Sequence, residues 1–261
     1  MLIAITRGVS PAIGNCELTH LERMAIDVQL AQAQHQQYEE YLAALGCEVH
    51  RLPVEPDLPD SVFVEDVAVV VDELALITRP GADSRKPETI SVARELEPYR
   101  KLFYIKAPGT VDGGDVLRVG KTIFVGLSSR SNPSAIEQMR DILQPYGYSV
   151  KGVQVNGCLH LKSAVTQVAE GTLLINSNWV DARAFRDWNL IEVDTLEPYA
   201  SNALLIGETV VYAASFPRTR QRLEAHGMSV VTVDVSELAK AEGAVTCCSL
   251  IFSAVGPEAR A

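Results

Sequence analysis

The sequence predicts an α/β ring of five strand–strand–helix–strand modules. Three observations point to it. A pattern of glycine, alternating strand, loop and apolar run recurs along the chain. Helical segments fall between the copies. The two ends of the chain each carry part of one module, so pairing them would close the ring and remove an exposed sheet edge. With 261 residues, 47% hydrophobic and 21% charged, the chain can bury a sizeable core. It reads as one domain, 1–261, without a linker or low-complexity stretch.

Residues 2–6 read as a strand, because no basic segment precedes their apolar run as one would in a signal peptide. A helix is expected over 21–45: Leu21, Met24, Val28, Ala31, Tyr38, Leu42 and Leu45 mostly share one face, and Gly46 suits the position after its end. Three alternating strands follow a helix-ending glycine, at Gly46, Gly147 and Gly227. Weaker copies begin near Lys101 and Asn189. After each comes a loop and an apolar run, at 67–71, 116–119, 164–168, 203–206 and 249–253. The first four runs lead through a turn into a second strand, at 74–78, 122–125, 172–175 and 209–212. The fifth lacks one, and residues 2–6 are expected to supply it. Pro133 at a first helical position, followed by Ile136, Met139 and Leu143, marks another helix. Further helices are expected over 219–226, near 89–99 and near 182–188.

Aligning the copies brings particular residues to the loop before each apolar run: Glu65 and Asp66, Asp112, His160, Ser201 and Asn202, and Cys247. In a five-fold ring these loops converge on the axis. Carboxylates, a histidine and a cysteine would then share one pocket, the ingredients of nucleophilic catalysis. Each residue also has a structural reading. Cys247 could be a packing residue, and Cys248 would face the opposite way on a strand. His160, between Leu159 and Leu161, could be a satisfied core histidine. Asp112, before Gly113 and Gly114, could serve a turn. The pair Glu65 and Asp66 sits among Phe63, Val64, Val67 and Val69 and needs a counterion, which a bound cation would provide.

Composition excludes other classes. A net charge of −10 opposes generic nucleic-acid binding, and no apolar run is long enough for a membrane helix. The five cysteines form no CxxC pair and suit reduced thiols in the cytoplasm. The five histidines show no metal-binding spacing.

Five motifs in order, Phe63 with Val64, Glu65 and Asp66; Leu76 to Gly81; Asp112 to Leu117; Leu159 to Ser163; and Thr246 to Ser249, closely resemble the dimethylarginine dimethylaminohydrolase family of the pentein superfamily. The resemblance implies a five-bladed α/β propeller and conversion of methylated arginine to citrulline without a cofactor. It implies Cys247 as nucleophile, His160 as general acid and then base, and Asp112 as the acid that orients the imidazole. Glu65 and Asp66 would bind the guanidinium, Asp60 would contact substrate, and Arg85 and Arg130 would grip the α-carboxylate. Leu18 would close over the substrate from a mobile lid, and the Ala241 carbonyl would meet the α-amino end, although the family often has a larger residue there. Zinc held by Cys247 and His160 would inhibit. The expected partner is a small methylated arginine, with neither nucleic acid nor membrane, and the reading admits a homodimer. The competing readings are an arginine deiminase-type hydrolase, a silent binding protein for arginine-like ligands, and a metal-dependent hydrolase.

Overall fold

A computed structural model describes residues 1–254. The strands are β1 (Leu2–Arg7), β2 (Cys47–Leu52), β3 (Ala68–Val70), β4 (Leu74–Ile77), β5 (Lys101–Tyr104), β6 (Val116–Val119), β7 (Thr122–Leu127), β8 (Ser149–Gln154), β9 (Val165–Ala169), β10 (Thr172–Ile175), β11 (Asn189–Glu192), β12 (Ala203–Ile206), β13 (Thr209–Ala213), β14 (Ser229–Val233) and β15 (Leu250–Ser253). They form five three-stranded sheets, ordered β3-β4-β5, β6-β7-β8, β9-β10-β11, β12-β13-β14 and β15-β1-β2. In every sheet the middle strand runs antiparallel to the first and parallel to the third. The five-module ring expected from the repeats is therefore present.

A parallel pair needs a crossover, which a helix normally provides. The crossovers contain α1 (Val28–Ala44), α2 (Thr89–Leu96), α3 (Pro133–Leu143) and, after the one-turn α4 (Leu161–Ala164), α5 (Pro217–Ala225). A further one-turn helix, α6, spans Ser236–Ala239. Middle strands are covered on both faces, which is why they read as nearly unbroken apolar runs: all of β4 and the last five residues of β1 are buried. The fifth blade joins the two chain ends, with Leu2 opposite Ser253 and Ile5 opposite Leu250.

Two expected helices differ. The segment near 182–188 forms only a 3-10 turn, Ala182–Phe185, started by the Asp181 side chain accepting from the Arg183 N–H. The helix expected from residue 21 begins at Val28, with the Asp27 carboxylate accepting from the Leu30 N–H at 3.0 Å. Within its would-be first turns the Asp27 N–H goes to Glu237 at 2.9 Å and the Ala25 carbonyl accepts from Lys240 Nζ at 3.1 Å, and the stretch that leads into them is held as well. Glu242 accepts the N–H groups of Thr19, His20 and Leu21 at 3.0, 2.5 and 2.7 Å. Arg23 donates to the carbonyls of Gly14 and Cys16. Leu21 and Met24, counted above on the apolar face, are exposed.

Candidate active site

Each blade is entered through a loop near the axis, and hydrogen bonds tie these loops into a closed circuit. The Gly114 N–H donates to Asp66 (3.0 Å), Leu161 N–H to Asp115 (2.9 Å), Asn202 Nδ2 to the Lys162 carbonyl (3.2 Å), Thr246 N–H to Asn202 (3.0 Å), and Glu65 N–H to the Cys247 carbonyl (3.1 Å). The glycines after Asp112 follow from this crowding. A Cβ on Gly113 would lie 1.9 Å from the Glu65 carbonyl oxygen, and one on Gly114 would lie 2.6 Å from His160 Nδ1.

On one side of the circuit lies a cleft lined by Asp60, Phe63, Asp66, Arg85, Arg130, Leu159, His160, Ala241, Gly243 and Cys247, with Glu17 and Glu242 at its rim. Its space is about 10 Å³, room for one water and far less than an amino acid needs. The segment where a lid is expected lies over it: Glu17 N–H donates to Asp60 at 3.1 Å, and Arg130 Nη2 donates to Thr19 Oγ1 at 3.0 Å.

His160 is buried, with Nε2 3.1 Å from Asp112 Oδ2 and Nδ1 3.9 Å from Asp66 Oδ1. Burial alone would discharge the imidazolium. Asp66, the hydrogen bond with Asp112, and Asp115 outweigh it and raise the pKa to about 9. Burial likewise favours the neutral form of Asp66, but His160, Arg85 and the Gly114 N–H hold it ionised, at about 2. Cys247 is pushed well up, first by burial and then by Glu65 and Asp66. At neutral pH the cleft therefore holds a thiol, an imidazolium and a carboxylate.

The arginines differ. Arg85 is buried and engaged: Nη1 donates to Asp66 at 2.6 Å, Nη2 and Nε donate to Glu88, and Nη2 also reaches the Asp60 and Phe63 carbonyls. Arg130 is looser, 4.0 Å from Asp112.

Two expected placements change. Glu65 does not line the cleft beside Asp66. Successive residues of the 3-10 turn Val64–Val67 point apart, and Glu65 accepts from Lys162 Nζ at 2.5 Å and Thr246 Oγ1 at 2.8 Å. It faces an axial cavity of about 370 Å³ on the other side of the ring. Leu18 packs half-buried against the core cluster around Phe63 and Cys247, while its neighbour Glu17 lines the cleft. Cys248 is fully buried in that core. Asp66, Asp112 and His160 present ligand atoms within 4.8 Å of one another, a set without Cys247. Glu242 stands in none of the motifs, and Lys162 and Thr246, inside two of them, had no role assigned, because the partners of all three lie far along the chain.

A family model described as N,N dimethylarginine dimethylhydrolase, eukaryotic, matches residues 20–252. The chain is 40% identical over 248 residues to the N(G),N(G)-dimethylarginine dimethylaminohydrolase of Streptomyces coelicolor, covering 95% of each. It is 37% identical over 228 residues to that of Pseudomonas aeruginosa, covering 87% of this chain and 90% of the relative. A Pseudomonas aeruginosa structure, a cysteine-to-serine variant complexed with citrulline, superposes with a TM-score of 0.92 at 35% identity, covering 95% of this chain and 98% of that one. The motifs, the ring and these matches agree, and the chain belongs to the dimethylarginine dimethylaminohydrolase family.

Proposed function

We propose that this chain hydrolyses Nω-methylated arginine to citrulline and methylamine or dimethylamine, with Cys247 as nucleophile. The observation that carries the reading is the cleft itself: it is lined by a cysteine, by a histidine held by one carboxylate and faced by a second, and by two arginines. Citrulline in the Pseudomonas relative supports the product.

The guanidinium sits on Asp66, and its charge offsets the burial and the carboxylates that keep Cys247 neutral, so the thiol gives its proton to solvent as the cation binds. The thiolate attacks the guanidinium carbon. His160 then gives its proton to the methylated nitrogen as that C–N bond breaks, leaving a covalent thiouronium. The neutral His160 takes a proton from water, which adds to the same carbon. The C–S bond breaks with its electron pair returning to the Cys247 sulfur, the added hydroxyl gives its proton to that sulfur, and citrulline departs with the thiol and the imidazolium restored. Asp112 holds the imidazole by Nε2. Arg130, with Arg85 behind it, receives the α-carboxylate once the lid opens. Glu65 acts on the charge of the site from behind, and Ala241 bounds the amino-acid end.

No step needs a metal, and zinc captured by Cys247 and His160 would inhibit. The five free thiols support a reducing compartment such as the cytoplasm. Among the described residues no helix is long and apolar enough to cross a membrane.

The test is citrulline release from dimethylarginine, monomethylarginine and arginine, with EDTA present, for wild type and Cys247→Ser. Methylated substrates should turn over in wild type only. Turnover confined to arginine would reassign the chain to deiminase chemistry, and a fully active Cys247→Ser would sink the mechanism.

A further inference from the structure

Behind the cleft, away from any substrate contact, lies one more carboxylate. Asp115 is fully buried. Its Oδ1 accepts the Leu161 N–H at 2.9 Å, and its Oδ2 accepts the hydroxyls of Ser128 and Ser131, each at 2.6 Å. Those serines are links and not endpoints. Ser131 Oγ accepts the Asp112 N–H at 3.2 Å, and Ser128 Oγ accepts the N–H groups of Arg130 and Ser131 at 3.0 and 3.3 Å. One side chain thus gathers three separate segments: the loop of His160 through the next residue, Asp112 through Ser131, and Arg130 through Ser128.

The surroundings are shaped for it. A Cβ at Gly126 on β7 would lie 2.5 Å from Asp115 Oδ1, so the strand passes as close as a chain without a side chain allows. Short hydrogen bonds from hydroxyls to a buried carboxylate are strong and directional, and buried polar networks fix geometry only when each member is satisfied. Asp115 satisfies that condition, with three donors on two oxygens.

We propose that Asp115 is a positioning residue for the reaction at Cys247, holding the His160 imidazole in register with Asp112 and Arg130 through Leu161, Ser131 and Ser128. The proposal rests on the mechanism above and adds to it the group that sets the proton donor's geometry. Placement of a donor matters because proton transfer in the transition state demands hydrogen-bond reach. Asp115→Asn keeps the size and the acceptor for the Leu161 N–H, but puts an amide NH2, a donor only, where one oxygen accepts both serine hydroxyls, so neither serine can donate there.

A lost fold and a misplaced proton donor are separated by the leaving group. Dimethylamine must be protonated to leave, whereas methanethiol from S-methyl-L-thiocitrulline can depart as the anion. First-turnover release of each is measured for wild type and Asp115→Asn. Amine release should slow about 100-fold or more, whereas methanethiol release should stay within about fivefold. Equal slowing of both leaving groups, or no slowing of either, overturns the proposal. If Asp115→Asn does not fold, the doubly substituted Ser128→Ala, Ser131→Ala protein keeps the carboxylate and removes its two hydroxyl ties, and the same comparison decides. The wild-type arm reads the substrate assignment and the variant-to-wild-type ratio reads the positioning. Wild type inert on both probes overturns both, whereas an active wild type with an unaffected variant overturns the positioning alone.

Discussion

Burial and the neighbouring carboxylates hold Cys247 as a thiol, the carboxylates hold His160 as an imidazolium against its burial, and on the proposed mechanism a bound cation releases the thiol proton. The folded pKa of His160, about 9, exceeds its unfolded value of about 6.5. The stability it contributes is therefore present in full below about pH 6.5 and lost as pH rises through about 9. Denaturant midpoints should fall between pH 6.5 and 9.5 in wild type and fall less in His160→Gln. If His160 is the proton donor proposed above, kcat/KM should decline as pH rises through about 9, because the proton meant for the departing amine is gone from the free enzyme. Lys162 makes a second test. Lys162→Met leaves Glu65 buried with only Thr246 as a side-chain partner, and urea unfolding should show a loss on the order of 3 kcal/mol. An unchanged midpoint would mean that Glu65 relaxes to solvent through the axial cavity.

The lid is the element where local preference and tertiary contact disagree. Residues 21–27 carry helix-compatible spacing, yet the N–H groups of Leu21 and Asp27 are held by side chains more than 200 residues away, Glu242 and Glu237. Glu242 adopts φ 58, a left-handed conformation that costs a non-glycine residue about 1 kcal/mol. That conformation aims its carboxylate at three consecutive N–H groups. Glu242→Gly removes the carboxylate without backbone strain and should loosen the lid while leaving the fold intact. Iodoacetamide should then alkylate Cys247 about tenfold faster, and KM for dimethylarginine should rise several-fold. Unchanged alkylation would show that Asp60 and Arg130 suffice to keep the lid shut. Elsewhere propensity and structure agree, as at α3, where Asn132 caps the helix and Pro133 opens it.

The molecule is a ring in which the first strand and the last described strand share one sheet, with the Ala254 N–H donating to the Met1 carbonyl at 2.9 Å. Joining residues 254 and 1 by a short flexible linker and opening the chain at the exposed turn between Gly120 and Lys121 should give a folded, active permutant, its Tm within a few degrees of wild type by calorimetry. Opening it inside β1 should give no folded protein, because β1 is the buried middle strand of the fifth blade.

Periodicity carried much of this molecule unaided. The apolar runs, the glycines after helices and the missing fifth strand located the blades, because side-chain burial on a strand or helix face is a local demand written into neighbouring positions. The loops bearing Asp112, His160 and Cys247 could be singled out for the same reason: the repeat places them at equivalent points. Other features had no local trace. Glu65 and Asp66 are adjacent in sequence, and only their packed neighbours, Lys162 and Thr246 on one side and Arg85 and Gly114 on the other, send them to opposite faces. The lid conformation and the ties around Asp115 likewise depend on partners brought together by ring closure, and hydrogen bonds between distant segments leave no period along the chain.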